Sequence, residues 1–173
     1  MMSWFSLCLI LLSVLMGCSL PIIAKSPPVT DSPPQTTVTL GQNLPISAEA
    51  TFGQNTKIQL EVAQTPEQQI MGLMYRPALP ASRGMLFVFP SPQSVNFWMK
   101  NVPVPLDMVF IYKGVIQYIQ AAAPPCQQEP CPTYGPNVAI DNVIELRSGR
   151  AAEIGLQPGH KVKIEFLNLG TSP

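Results

Sequence analysis

Charge is what this sequence has least of: 12% of its 173 residues are Asp, Glu, Lys or Arg, and ten basic residues balance ten acidic ones. Without a basic surplus no electrostatic field draws in nucleic acid or an anionic membrane surface, so nucleic-acid binding is not expected. Histidine occurs once, as His160, which leaves any zinc site short of ligands. No Gly-x-Ser-x-Gly elbow, His-Glu-x-x-His helix or Gly-rich phosphate loop occurs, so the usual nucleophile, zinc and nucleotide chemistries lack their sequence carriers. These gaps do not exclude an enzyme of another kind, but no metal or cofactor is expected. No internal repeat is present. Twenty Pro and eleven Gly in a chain that is 46% hydrophobic argue for many turns and short strands around a real core, and against a helical bundle.

The apolar run from Trp4 to Met16 is too short to span a bilayer comfortably, and it leads into Leu15-Met16-Gly17-Cys18. Residues 1–17 read as a lipoprotein-like signal peptide, with Cys18 as the lipidated residue and new N-terminus. Met16 is bulky for its position and the n-region carries no Lys or Arg, so an uncleaved anchor, or an ordinary secretory signal cut after Ala24, stays open. Each alternative places the folded part outside the cytoplasm, and the first makes it a membrane-anchored lipoprotein of the periplasm or cell surface. Residues 18–55 are rich in Pro, Ser, Thr and Gln and read as a tether stiffened toward polyproline II, with an edge strand expected near Leu44 to Ala50.

The domain is expected over residues 56–168, followed by a tail at 169–173. Lys57 to Ala63 alternates apolar and polar residues as a half-buried strand does. Thr65-Pro-Glu-Gln68 has capping-box spacing with Pro at the first helical position, which predicts one short helix ended by Arg76-Pro77. Met85 to Phe89 reads as a strand that Pro90-Ser-Pro92 turns toward Val95 to Asn101. Leu106 to Tyr112 and Val115 to Gln120 form a hairpin about Lys113-Gly114. Residues 121–137 read as a long loop, and Val143 to Arg147 and Lys161 to Leu167 as the last strands, with a turn of helix around Arg150 to Ile154. These elements predict an all-β protein, an antiparallel sandwich or jelly-roll-like barrel with one short helix.

The densest block is Gly84-Met-Leu-Phe-Val-Phe-Pro followed by Asn96-Phe-Trp-Met-Lys-Asn-Val-Pro-Val-Pro-Leu-Asp107. It closely resembles the core of the DUF192 family, small and mostly extracytoplasmic domains without an assigned general activity. Glu145-x-x-x-Gly149 and Gly155-x-x-x-Gly159 add to the resemblance, which covers roughly Ile58 to Phe166. His160 departs from it, since family members commonly carry an acidic residue there.

Cys126 and Cys131, in Pro125-Cys-Gln-Gln-Glu-Pro-Cys-Pro132, are the pair that remains once Cys8 is removed and Cys18 acylated, and a disulfide is the favoured reading. Alternation along Val95 to Asn101 places Phe97 and Met99 on one face and Asn96, Trp98 and Lys100 on the other. An indole beside an ammonium and an amide suits stacking a sugar ring and hydrogen-bonding its hydroxyls. The structural alternative covers Trp98 with the Pro-rich loop and pairs Lys100 with Asp107. Asp107, at the start of an apolar strand, needs a partner, for which Lys100 and Arg76 are the candidates. Asp107 and Arg76 are therefore candidate ligand-binding residues beside Trp98, Lys100 and Asn96, although a turn cap and a loop closure explain them as well. Asp107 with Glu145 or Asp141 is the acidic pair that a glycosidase would need.

Three functions follow as expectations. The first is a non-enzymatic, envelope-tethered module that binds a small molecule, a carbohydrate or a cell-wall component through the Trp98 face, and it expects an exposed Trp98. The second is a structural or accessory lipoprotein with a protein partner, which expects a covered Trp98 and no pocket. The third is a hydrolase or transferase acting on envelope polymers, which needs two acidic groups in one cleft.

Overall fold

In a computed structural model of the protein, residues 41–53 and 55–167 are described. The signal peptide, Cys18, most of the tether and the C-terminal tail lie outside the described residues. Nine strands and two helices follow in the order β1 (Ile46–Phe52), β2 (Thr56–Ala63), α1 (Pro66–Met71), β3 (Arg83–Gln93), β4 (Phe97–Trp98), β5 (Leu106–Tyr112), β6 (Val115–Ala123), β7 (Thr133–Tyr134), β8 (Ile140–Arg147), α2 (Arg150–Glu153) and β9 (Val162–Phe166). Seven strands make one sheet, in the order β6-β5-β8-β3-β2-β1-β9, and β4 pairs with β7 in a second, two-stranded ladder. The protein is thus mostly β, as expected, but it is one curled mixed sheet and not an antiparallel sandwich. No helix among the described residues is long and apolar enough to cross a membrane.

The departure comes from β2 and β3, which pair in parallel with Glu61 opposite Met85. Parallel neighbours need a crossover of a dozen or more residues, and the segment holding α1 supplies it. The expected capping box of α1 is present: the Gln68 N–H donates to Thr65 Oγ1 at 3.2 Å, and Gln68 Oε1 accepts from the Thr65 N–H at 3.1 Å. The helix stops at Gly72, with φ +43°, well before Arg76-Pro77. Gln42 holds that end, its Nε2 donating to the Gln68 and Gly72 carbonyls at 2.8 and 3.0 Å.

Other boundaries move for similar reasons. The strand expected near Leu44 to Ala50 exists as β1, but between β2 and β9 and not at an edge. Pro90-Ser-Pro92 does not end β3; the ladder to β8 is interrupted between Val88 and Gln93 and the strand runs on, as befits a segment whose prolines cannot donate. Residues 121–123 extend β6, and β7 lies within the remaining loop. The Lys113-Gly114 hairpin forms as expected, both residues at positive φ (48° and 71°), the pattern of a tight two-residue turn. A second helix, α2, occupies the predicted turn after Gly149.

The sheet curls into a half-barrel. Its edges meet at one end, where Val115 bridges Lys161 and the Ile116 N–H donates to the His160 carbonyl at 2.9 Å. Each face carries its own apolar cluster. Phe52, Leu60, Leu86, Val109, Ile144 and Leu146 belong to one, and Met85, Phe87, Met99, Met108, Phe110 and Val143 to the other. Gly84 permits this packing, because a Cβ there would stand 2.9 Å from the Glu145 carbonyl oxygen and 3.0 Å from Leu60 and Leu146 methyls.

Candidate functional site

Strand register decides which polar groups share a face. Glu61, Met85, Glu145 and Met108 lie side by side across β2, β3, β8 and β5, while Leu60, Gly84, Leu146 and Asp107 form the adjacent row. Adjacent rows point to opposite faces. Asp107 and Glu145 are therefore on opposite sides of the sheet and do not flank one bond. Asp107 is 1% exposed, and its two oxygens accept from the Ala122 N–H at 2.8 Å and the Ala151 N–H at 2.9 Å. It ties the end of β6 to the first turn of α2, and neither Lys100 nor Arg76 is its partner. Asp141 is also occupied, accepting from the Lys113 N–H at the hairpin turn at 2.8 Å.

Arg76 is buried and paired with Glu61, a residue that sequence reasoning left aside. The guanidinium donates to both carboxylate oxygens, at 2.6 and 2.9 Å, and the Leu44 N–H donates to the same carboxylate at 3.0 Å. This fork-on-fork arrangement anchors the chain entering β1 and the loop after α1 to β2.

Trp98, Lys100 and Asn96 fall on the outer face of their segment, as alternation requires, with Phe97 and Met99 inward. Phe97 meets Phe87 edge-on at 4.9 Å and Phe110 at 5.8 Å. Trp98 is 46% exposed, and Lys100 Nζ lies 5.6 Å from its ring centroid. The Pro-rich loop braces this segment without covering it. Cys126 and Cys131 form the expected disulfide, the Cys126 N–H donates to the Met99 carbonyl at 3.2 Å, and Glu129 pairs with Lys100 at 2.5 Å. The β7 strand pairs Tyr134 with Phe97 and Thr133 with Trp98.

Between α1 and the β3–β4 region these residues leave a groove of about 450 Å³, walled by Ile70, Phe87, Phe89, Phe97 and Trp98 with Gln69, Gln93 and Asn96 among them. Gln69 is committed to structure, its Nε2 donating to the Ala63 and Val88 carbonyls at 3.3 and 2.9 Å. Beside the groove lies a narrower recess of about 30 Å³, sharing Gln69, Ile70, Phe87, Phe97 and Trp98 with it and lined further by Met71, Met74, Lys100, Val102 and Glu145. Glu145 is 4% exposed, and burial alone, with no compensating charge or hydrogen bond, pushes its carboxyl up to about 8. At neutral pH it holds its proton. Among the described residues no three His, Cys, Asp or Glu side chains come together to hold a metal ion.

The DUF192 family model, described as an uncharacterised ACR, matches residues 48–164. This chain belongs to the DUF192 family. Two crystal structures resemble this DUF192 domain. One is a candidate transcription regulator from Sinorhizobium meliloti 1021, 31% identical over 70% of this chain and 97% of that one, with a TM-score of 0.63. The other is a protein of unknown function from Novosphingobium aromaticivorans DSM 12444, 30% identical over 68% of this chain and 83% of that one, with a TM-score of 0.60. No curated protein matches the chain. The match to residues 48–164 runs from within β1 to within β9 and takes in the groove and recess.

Proposed function

We propose that this DUF192 protein is a non-enzymatic, envelope-tethered binding module that takes a small, uncharged ligand, of the carbohydrate or cell-wall class, in the groove beside α1. The observation that carries the reading is a half-exposed Trp98 forming one wall of a concave, largely apolar groove. Concave apolar sites with a few polar groups are where small ligands bind, and an indole face suits the apolar face of a pyranose ring. Asn96 and Gln93 offer amide donors and acceptors at the rim. The hydrolase reading has less behind it, because Asp107 and Asp141 are spent on backbone amides and Glu145 is the one carboxylate in the recess. A role in transcription regulation, which the name of the Sinorhizobium meliloti protein gives to that protein, is not carried over, since this chain has no net positive charge with which to hold nucleic acid. The envelope tether rests on the sequence of residues 1–55.

The test is a thermal-shift screen of the purified full-length chain and its Trp98→Ala variant against envelope glycans, peptidoglycan fragments and common metabolites. A ligand at a hundredfold excess over its Kd stabilises the native state by about 2.7 kcal/mol, a shift of several degrees for a domain of this size. The expected result is such a shift in the wild type and none in the variant. If no compound shifts the wild type, the exposed Ile70 and Trp98 become candidates for contact with a protein partner.

A further inference from the structure

We propose that Glu145 sets the ligand specificity of this groove by receiving an acetamido group in the recess, which makes an N-acetylated sugar the ligand class; the inference rests on the groove reading above. Glu145 lines the recess, is almost fully buried, and is met by no hydrogen-bond donor among the described residues. A buried polar group without a partner is costly, and in native structures such groups are usually explained by a function or a bound molecule. A carboxylic acid that keeps its proton offers one O–H donor and one C=O acceptor. In the trans amide of an acetamido group the C=O and the N–H point to opposite sides, so the Glu145 O–H donates to the carbonyl alone, and the methyl beside that carbonyl meets the apolar wall of Met71, Met74 and Val102.

The surroundings argue against charged groups. The neighbours of Glu145 across the sheet are Met85 on β3 and Met108 on β5. Lys100 is the one other charged side chain lining the recess, and it repels an amine. An anion gains little, because Lys100 is already paired with Glu129. Glu61 on β2, Arg76 in the loop after α1 and Arg83 on β3 form one charged cluster, in which Glu61 meets Arg76 at 2.6 Å and Arg83 at 3.8 Å, and none of the three lines the recess. Room is also limiting. A recess of about 30 Å³ holds about two waters, which suits the end of a short substituent and not a whole ring. The ring itself belongs in the adjoining groove, and because Trp98 lines both spaces a sugar stacked on the indole presents its substituent to Glu145.

Binding of triacetylchitotriose, of the corresponding glucosamine trimer and of cellotriose to the full-length chain is measured by calorimetry. The N-acetylated trimer is expected to bind best, and to weaken by roughly tenfold or more between about pH 6.5 and pH 9.5 as Glu145 ionises. Glu145→Gln keeps a donor and an acceptor, so it is expected to bind at both pH values alike. Glu145→Leu is expected to lose about tenfold in affinity for the N-acetylated trimer and its preference over cellotriose, as removal of a buried hydrogen-bond partner does. Circular dichroism establishes that both variants are folded. Equal affinity for the N-acetylated trimer and cellotriose, or affinity indifferent to pH and to Glu145→Leu, overturns the role of Glu145, while loss on Trp98→Ala in the same assay keeps the groove reading alive. Preference for the glucosamine trimer at about pH 6.5, where its amines carry charge, overturns it too, by making the recess a cation site. If none of the trimers binds, the inference falls, and the groove reading is decided by the wider Trp98 screen.

Discussion

Glu145 shows how a single buried residue can make stability depend on pH. Its carboxyl sits at about 8 in the folded protein against 4.5 for the ordinary group. The native state therefore keeps a proton that the unfolded chain has lost, and stability must fall as pH rises from about 4.5 to about 8, then level off. The whole span is worth about 3 to 5 kcal/mol at 1.36 kcal/mol per pH unit. Glu145→Gln, which cannot ionise, is expected to flatten that slope and to exceed the wild type most above pH 8; urea denaturation at about pH 5 and pH 8.5 reads the difference. A wild type equally stable at both would show that the carboxyl ionises freely. The residue was visible in the sequence as an acid after Val143-Ile144, but its burial was not, because a strand covered on both faces gives no polar alternation to read. Asp107 was legible as a carboxylate in need of a partner. Its partners were not, since backbone amides 15 and 44 residues away leave no mark in the side-chain sequence. Trp98 and Lys100 were placed correctly on the outer face because alternation is a local property.

At the level of elements, α1 began where its side chains said it would. Thr65 and Gln68 satisfy each other's backbone groups, and Pro66 occupies a position whose N–H has no helical partner anyway. Thr65→Ala is expected to cost about 1 kcal/mol, seen as a lower urea midpoint with an unchanged slope. The sequence carries α1 on toward Arg76-Pro77 because Leu73 and Met74 continue the apolar spacing. Both are buried in the cluster below the recess, after the chain has left the helix at Gly72. The signal that marked the exit was the glycine itself, which takes a positive φ cheaply. The parallel β2–β3 pair was missed for a related reason: a helix of six residues reads as an ornament on an antiparallel meander unless the length of the whole connection is counted.

For the molecule as a whole, β1 is the element whose role sequence composition hid most. Ile46, Ala48, Ala50 and Phe52 alternate as strand residues do, but alternation after a Pro- and Ser-rich stretch marks a strand without saying that it lies inside the sheet. The strand pairs with β2 on one side and β9 on the other, so β9 has no sheet partner without it. It also brings Ala48, Ala50 and Phe52 into the aliphatic cluster. A chain shortened to begin at Thr56 is expected to give no cooperative thermal transition, whereas one beginning at Thr37, which keeps all of β1, is expected to melt as a single unit. Calorimetry of the two chains checks this. A cooperative melt from the shorter one would mean that β9 finds another partner.

The two-faced sheet has a practical corollary for anyone altering this protein. Glu61, Arg76, Glu145, the aromatic wall and the recess are all reached from one side of the curl, whereas the cluster on the other side is built of aliphatic residues and Phe52. Volume-conserving repacking of that second cluster, an exchange of Ile and Leu at positions such as Leu60, Ile144 or Leu146, typically changes stability by less than about 1.5 kcal/mol. Such exchanges reach the groove only through the backbone of the sheet. Sequence drift and engineered stabilisation thus have a territory of their own, leaving the face that carries the groove to be tuned separately.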